Sequence, residues 1–130
     1  MAKKCFNFKV DKLTVKVYDS REEMGAYAAA EAAAALKKVL AEKKTIKTIF
    51  AAAPSQNEFL ASLIADKDID WTRIEAYHMD EYIGLDPAAP QAFGNFLRDK
   101  IFGLVPFKAV HYINGNVECI DCECKRYAEL

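Results

Sequence analysis

The sequence predicts an α/β domain with a largely parallel sheet. Stretches rich in β-branched and aromatic residues, which are typical of strands, alternate with helical patterns of about a dozen residues or more. No repeat, low-complexity tract or flexible linker interrupts this alternation. The chain has 130 residues, of which 52% are hydrophobic, and this is enough for the core of one domain. We therefore expect residues 1–130 to form a single α/β domain.

The first predicted strand and helix lie between residues 13 and 42. Residues 13–18 alternate apolar and polar side chains and are rich in β-branched residues, which favours a strand. Ser20 and Glu23 have the spacing of a capping box, which predicts the start of a helix over residues 21–42. The many alanines of this segment favour a helix and allow it to lie close to a sheet.

The rest of the chain repeats the order of strand and helix. Residues 45–53, rich in Ile and Phe, predict the second strand. Ser55 and Glu58 have the spacing of a second capping box, which predicts a helix that ends near residue 65. The remaining predicted elements are a third strand (73–79), a proline-rich connector (86–90), a helix (91–102), a fourth strand (107–113) and a last helix (118–130).

Charge and hydropathy exclude several classes of function. Lys and Arg number 18 and Asp and Glu number 19, so the basic excess of a nucleic-acid-binding protein is missing and we expect no nucleic-acid partner. The least polar stretch, residues 24–36, is shorter than a membrane span and contains Glu31, so we expect no membrane partner. Residues 1–12 do not resemble a signal peptide, and we expect a cytoplasmic location.

Three of the four cysteines lie close together near the end of the chain. Cys119 and Cys122 form a C-x-x-C, and a helix would place them on one face with Cys124 pointing elsewhere. Zinc needs four ligands, and Cys5 and His111 could complete the set only through long-range folding. We therefore expect ordinary reduced thiols and no cofactor or metal, with a metal site or a redox pair as the alternatives.

Asp80 and Glu81 are the strongest candidates for catalytic residues. They follow a buried strand, and reacting groups collect at the carboxyl ends of strands in open α/β sheets. Either carboxylate could move a proton between neighbouring carbons, and the sequence does not rank them. The alternative is a capped turn, in which both bond nearby amides and Gly84 supplies a positive φ. His78 lies on the same side of the strand as Asp80 and could orient it, bind a ligand or belong to the core.

A second loop, residues 52–57, could bind an anion. It leads into a helix whose first amides have no partner within the helix, and such amides suit a phosphate. The candidate binding residues are Ala53, Ser55 and Gln56. In the alternative interpretation the Ser55 hydroxyl caps the helix itself. The loop also has no glycine, which makes close approach of the backbone to a phosphate less easy.

The sequence resembles the glucosamine-6-phosphate deaminase (isomerase) family in four motifs, which occur in a consistent order. Residues 79–85, MDEYIGL, resemble the family's M-D-E-Y-x-G-L signature. Residues 90–97 are similar to its P-x-S-Y-x-x-F-(M/L) helix. Residues 113–116, INGN, resemble its L-N-G-N turn, and residues 123–127 resemble its E-C-x-x-Y helix. The similarity covers roughly residues 46–130.

The resemblance implies a Rossmann-like three-layer α/β fold, truncated relative to the family. It implies conversion of an amino-sugar phosphate to a ketose phosphate with release of ammonia, so the implied partner is a sugar-phosphate substrate. Asp80 would be the base that moves a proton between C1 and C2 of the open-chain sugar, supported by Glu81 and His78. Residues 52–57 would hold the phosphate. A homo-oligomer is also compatible with this interpretation.

Two departures from the family bear on function. The phosphate loop of the family is usually rich in Gly and Thr, whereas residues 52–57 read AAPSQN. The 130 residues also contain no counterpart of the family's G-x-x-x-D/N-G-H-I-A-F-N segment, which supplies the histidine for ring opening. We therefore expect little or no turnover from this polypeptide alone. The alternatives are a non-catalytic sugar-phosphate sensor, an interaction module with an exposed edge strand or apolar face, and a phosphogluconolactone hydrolase of related fold.

Overall fold

The computed structural model describes residues 6–130, so Cys5, named above as a distant metal ligand, lies outside the described residues. The strands in this part of the chain are β1 (Phe6–Val10), β2 (Leu13–Val17), β3 (Ile46–Phe50), β4 (Ile74–His78) and β5 (Ala109–His111). The α-helices are α1 (Arg21–Glu42), α2 (Asn57–Ala65), α3 (Phe93–Leu97) and α4 (Ile120–Ala128). Two 3₁₀ turns (Pro54–Gln56, Trp71–Arg73) and a π-helical turn (Arg98–Phe102) complete the elements.

Strands β3, β4 and β5 form a parallel sheet with β4 in the centre. Phe50 at the end of β3 pairs with His78 at the end of β4, and Tyr77 pairs with His111 at the end of β5. The carboxyl ends of all three strands therefore lie at the same edge of the sheet. This arrangement confirms the predicted α/β class with a parallel sheet.

The alternation of β4 gives the sheet two different faces. Ile74 and Ala76 are completely buried on the face that α1, α2 and the segment after α3 cover. Tyr77 points to the other face, where its ring contacts that of Tyr127 in α4. Helices thus cover both faces, as the three-layer prediction requires. The main core contains Ala29, Ala33, Leu40, Phe50, Leu60, Leu63, Ile69, Trp71, Ile74, Ala76, Leu97, Ile101 and Phe102.

Helix α1 begins as predicted and lies against α2. The Ser20 hydroxyl accepts a hydrogen bond from the Glu23 N–H at 3.1 Å, which confirms the predicted N-terminal cap. At Gly25 the two helices touch so closely that an added Cβ would lie 2.6 Å from the Glu58 Cβ. Arg21 in α1 also joins the two helices, through two hydrogen bonds to the Glu58 carboxylate at 2.8 and 3.0 Å.

Strands β1 and β2 form an antiparallel hairpin outside the parallel sheet, and β1 was not predicted. Its residues alternate as those of β2 do, so the same signal was present in the sequence. Asp11, in the two-residue connection, has a φ of 53°, which fits a tight hairpin turn. The apolar cross-strand pairs lie on one exposed face of the hairpin: Phe6 with Val17, Phe8 with Val15, and Val10 with Leu13.

Several predicted elements are shorter in the structure. The strand predicted for 107–113 is limited to Ala109–His111, and the helix predicted for 91–102 is split into α3 and the π-helical turn. The last helix begins two residues later than predicted, at Ile120. None of the helices in residues 6–130 combines the length and apolar character needed to cross a membrane.

Candidate functional site

Three loops meet at the carboxyl edge of the parallel sheet. Residues 51–57 follow β3, residues 79–85 follow β4, and residues 112–116 follow β5. Because β4 is the central strand, the loop that carries Asp80 and Glu81 lies between the other two. This is the place where open α/β sheets bind ligands. The loops that carry the candidate residues therefore start at one edge of the sheet.

The Asp80 carboxylate is open to solvent. Asp80 is exposed, and its side chain makes no hydrogen bond or ion pair with any residue of the described range 6–130. Its backbone carbonyl is held, because it accepts a hydrogen bond from the ring of His78 at 2.8 Å. The main chain at Asp80 is thus fixed, while both oxygens of the side chain remain available to a ligand.

Glu81 is committed to the backbone. One oxygen of the half-buried Glu81 carboxylate accepts hydrogen bonds from the N–H groups of Tyr82 at 2.9 Å and Phe93 at 2.8 Å. The other accepts from the N–H of Gly94 at 2.8 Å. Glu81 therefore caps α3 from a distance and ties the loop of residues 79–85 to that helix. The structure separates two carboxylates that the sequence could not rank.

His78 joins the ends of β4 and β5. Its side chain is buried, and its Nε2 accepts a hydrogen bond from the Ile113 N–H at 3.0 Å, so the proton lies on Nδ1 and is donated to the Asp80 carbonyl. Burial lowers the pKa of His78, which keeps the ring neutral near pH 7. The His78 N–H donates to the Tyr127 hydroxyl at 2.8 Å, which in turn donates to the His111 carbonyl at 3.0 Å. His78 thus fixes the main chain at Asp80.

The turn of residues 113–116 packs directly on the loop of Asp80. The Gly84 N–H donates to the Gly115 carbonyl at 2.9 Å, and Gly84 has a φ of +78°, which favours glycine. A Cβ on Gly115 would overlap the carbonyl oxygen of Tyr82. The two glycines therefore allow two loops from different strands to approach each other closely.

Helix α4 holds this turn from the other side. The buried Glu123 carboxylate accepts a hydrogen bond from the Asn114 N–H at 2.9 Å and pairs with Arg126 at 2.6 Å. The bonds from Arg126 and Asn114 lower the pKa of Glu123 to about 2. Arg126 also donates to the Tyr112 carbonyl at 3.0 Å. In the sequence Glu123 stands out only as part of the E-C-x-x-Y-like motif, because its hydrogen-bond partner, Asn114, lies nine residues away.

A cavity of about 370 Å³ lies beside the loop of Asp80. It is lined by residues of the segments 81–87, 92–98 and 112–116, and Asp80 is not among them. The positive group on its wall is Arg98, which the sequence did not single out. The signal that could have identified Arg98 is its position just after the P-x-S-Y-x-x-F-like helix.

The loop of residues 51–57 differs from its prediction. The expected capping box of Ser55 and Glu58 is wrong, because Pro54 begins a 3₁₀ turn and α2 starts at Asn57 without a side-chain cap. Glu58 is instead bound by Arg21, which also donates to the Pro54 carbonyl at 3.0 Å. The exposed Ser55 hydroxyl is therefore not used to cap α2.

Ala53 and Gln56, the other two predicted anion-binding residues, lie in the same loop and are half-buried. The Gln56 N–H donates to the Ala53 carbonyl at 2.9 Å, which closes the turn. The Gln56 side chain gives α2 no cap. The first amide of α2, the Asn57 N–H, donates to the Pro54 carbonyl, so the 3₁₀ turn takes up the amides of Gln56 and Asn57.

The prediction of reduced thiols is wrong for two cysteines. Cys119 and Cys122 form a disulfide, because the start of α4 brings the two sulfurs of the C-x-x-C together. Cys124 is free and exposed. No group of three or more His, Cys, Asp or Glu residues between 6 and 130 could hold a metal ion.

Curated relatives of this chain are glucosamine-6-phosphate deaminases. The protein from Streptococcus sanguinis (strain SK36) is 32% identical over 84 residues, which cover 65% of this chain and 36% of that relative. Others are 31% to 37% identical. These matches confirm the resemblance predicted from the four motifs. The chain spans less than half the length of these relatives, and it matches no protein-family model.

Solved structures share the fold. A monomeric glucosamine-6-phosphate deaminase of the NagB superfamily aligns with a TM-score of 0.72 and 23% identity over 86% of this chain and 47% of its own. A 6-phosphogluconolactonase from Thermotoga maritima aligns with a TM-score of 0.73 and 19% identity, over 87% of this chain and 50% of its own. These neighbours agree with the α/β class, and the chain is about half their length.

Proposed function

We propose that this chain, a relative of the glucosamine-6-phosphate deaminases, supplies the proton-transfer side of a site that converts an amino-sugar phosphate to a ketose phosphate. Asp80 is the proposed base. The observation that carries this proposal is the contrast between neighbours. Glu81 is bonded to three backbone amides, whereas neither Asp80 side-chain oxygen has a partner among residues 6–130. A base must accept and return a proton, which requires lone pairs that the protein does not already occupy.

In this proposal Asp80 moves a proton between C1 and C2 of the open-chain sugar. The His78 Nδ1–H fixes the Asp80 carbonyl, and Glu81 fixes the following peptide to α3. The main chain that carries the Asp80 carboxylate is thus fixed, which helps to keep the carboxylate oriented for proton transfer. Glu81 and His78 act through Asp80, as positioning residues.

The phosphate is proposed to bind in the loop after β3. Ala53, Ser55 and Gln56 lie there, the Ser55 hydroxyl is exposed, and the start of α2 has no side-chain cap. Neighbouring parallel strands are about 4.8 Å apart, so the loops after β3 and β4 can contact two parts of one small substrate. Arg21 lies next to this loop through its bond to the Pro54 carbonyl, and its charge is paired with that of Glu58.

We expect the 130-residue polypeptide to bind sugar phosphates with little turnover, because it contains no counterpart of the family's ring-opening histidine segment. A cytoplasmic location and a homo-oligomer remain predictions. The main alternative is a sensor that binds sugar phosphates without chemistry. A lactone hydrolase is the other alternative, suggested by the fold of the Thermotoga maritima neighbour.

The test follows one partial reaction that needs only the base. Fructose 6-phosphate is incubated with the polypeptide in D₂O, and deuterium at C1 is measured by NMR. We expect slow exchange with the natural chain and at least about 10²-fold less with Asp80→Asn. Glu42→Gln, which changes an exposed carboxylate at the end of α1, should exchange like the natural chain.

Binding is measured in parallel by calorimetry with glucosamine 6-phosphate and with glucosamine. Binding that requires the phosphate and weakens in Ser55→Ala supports the loop after β3 as its site. Equal exchange in the natural chain and Asp80→Asn would overturn the assignment of the base. Saturable binding without exchange in the natural chain would favour the sensor instead.

A further inference from the structure

The disulfide between Cys119 and Cys122 lies at the junction between the turn of residues 113–116 and helix α4. Cys119 is the N-cap of α4, and its sulfur accepts a hydrogen bond from the Cys122 N–H at 3.2 Å. Both cysteines are exposed. An external thiol can therefore reach a bond that closes the first turn of the helix, and the proposed function makes no use of this bond.

A short chain of hydrogen bonds leads from this disulfide to the loop of Asp80. The Glu123 N–H donates to the Cys119 carbonyl at 3.2 Å, and the Glu123 carboxylate holds the Asn114 N–H at 2.9 Å. One residue further, the Gly115 carbonyl accepts the Gly84 N–H at 2.9 Å. The first turn of α4 thus supports the turn that lies on the loop of Asp80.

We propose that Cys119 and Cys122 form a reversible disulfide clip, a thiol–disulfide exchange site for small thiols of the glutathione class, which controls how firmly α4 holds the turn of residues 113–116. The clip is closed when the disulfide is present and open when both sulfurs are thiols. Its state is read at the amides of Asn114 and Gly84.

The exchange balances as a two-electron reduction. A thiolate attacks the Cys122 sulfur and forms a mixed disulfide, and the Cys119 sulfur leaves as a thiolate and takes up a proton. A second thiolate attacks the sulfur of the bound small thiol, which releases a small-molecule disulfide and leaves Cys122 as a thiol. Two small thiols are oxidised for each protein disulfide that is reduced.

The surroundings favour Cys119 as the leaving group and make the clip slow. A thiolate at the N-terminus of α4 is stabilised by the helix dipole and by the Cys122 N–H. The neighbouring carboxylates of Glu118 and Asp121 repel the negative charge of a thiolate at this place. An efficient exchange catalyst needs a thiolate that forms easily. Because Glu118 and Asp121 disfavour the thiolate, we expect the clip to change slowly between disulfide and thiols.

Opening the clip removes a covalent restraint from the first turn of α4. The closed ring is short, so the expected effect is modest. We expect the amides of Asn114 and Gly84 to exchange with solvent about tenfold faster after reduction, while amides in β4 change little.

The test combines thiol counting with hydrogen exchange on the full chain. The protein is equilibrated in a glutathione redox buffer, denatured and treated with iodoacetamide, and its peptides are mapped by mass spectrometry. Cys119 and Cys122 should be joined to each other without label before dithiothreitol, and both should be labelled when iodoacetamide follows dithiothreitol. Hydrogen exchange of Asn114 and Gly84 is then followed by NMR in both states. Labelling of Cys119 and Cys122 without dithiothreitol would overturn the proposal.

Two variants make the result specific. Cys122→Ser should show the fast exchange of the reduced protein with or without dithiothreitol. Cys124→Ser removes an exposed thiol from the same helix and should behave like the natural chain. If Cys122→Ser does not fold, the natural chain with and without reductant still gives the decisive comparison. Equal exchange in those two states would show that the clip does not control the turn. These readouts do not depend on whether Asp80 is a base.

Discussion

Replacing Glu123 by Gln tests whether α4 holds the turn of residues 113–116 through a buried charge. The Glu123 side chain is 8% exposed, pairs with Arg126 at 2.6 Å and accepts the Asn114 N–H at 2.9 Å. Gln has the same shape and keeps an acceptor for Asn114. It loses the negative charge, so Arg126 is left without its ionic partner. The variant therefore isolates the electrostatic part of the contact.

The size of the effect follows from the pKa of Glu123, which the fold lowers from 4.5 to about 2. Each pKa unit corresponds to about 1.4 kcal/mol, which gives about 3 kcal/mol for the ionised form. Arg126 is 49% exposed, so solvent screening reduces this figure, and we expect about 2 kcal/mol. Because the pKa is lower in the folded state, this stabilisation is present above about pH 4.5 and is lost as the pH falls towards 2.

Urea unfolding at pH 7, 4.5 and 3 measures this directly. The single tryptophan, Trp71, is buried and can report unfolding by fluorescence. The free energy of unfolding of Glu123→Gln should be about 2 kcal/mol below that of the natural chain at pH 7, and the gap should shrink at pH 3. Glu129→Gln, an exposed control in the residue after α4, should show no gap. A gap of equal size at pH 7 and pH 3 would refute the electrostatic explanation.

Three further substitutions test other contacts, each by the free energy of unfolding. Gly115→Ala should cost more than about 3 kcal/mol, since its Cβ overlaps the Tyr82 carbonyl, and near-natural stability would contradict the close packing of the two loops. His78→Gln should remove the loss of stability that the natural chain shows as the pH falls below about 6.5, because the lowered pKa of His78 makes its protonation unfavourable in the folded state; an unchanged pH profile would count against this. Gly25→Ala should cost about 1–3 kcal/mol although Ala favours helices, because its Cβ would lie 2.6 Å from the Glu58 Cβ, and a gain in stability would show that the helices can separate at no cost.

Local signals predicted the parts of the fold that depend on neighbours in sequence. Helix α1 was bounded correctly because the Ser20 cap and a run of good helix formers are both local. The same capping pattern failed at Ser55, where Pro54 starts a 3₁₀ turn and Arg21, 37 residues away, binds Glu58. The two sites have the same spacing, and they differ in the proline that precedes Ser55 and in the distant Arg21 that binds Glu58.

In the candidate site, too, local sequence predicted some features, and others depend on distant residues. Its position could be predicted, because a buried strand followed by two acids marks the carboxyl end of β4. The different roles of Asp80 and Glu81 could not, since they depend on the amides of Phe93 and Gly94, which α3 brings to Glu81. The pairing of Cys119 with Cys122 was similarly open, because a C-x-x-C allows thiols, a metal or a disulfide.

The contacts around Asp80 argue for a role of its carboxylate beyond the fold. Glu81 and Gly84 each hold the loop through hydrogen bonds, and His78 fixes the Asp80 carbonyl. The Asp80 side chain takes no part in this network, and an amide of the same shape would leave every one of these bonds intact. Asp80→Asn should therefore change the free energy of unfolding by less than about 0.5 kcal/mol, as is usual for surface positions. A larger loss, measured in the same urea unfolding experiment, would mean that the acid serves the loop itself, and the case for a base at this position would fail with it.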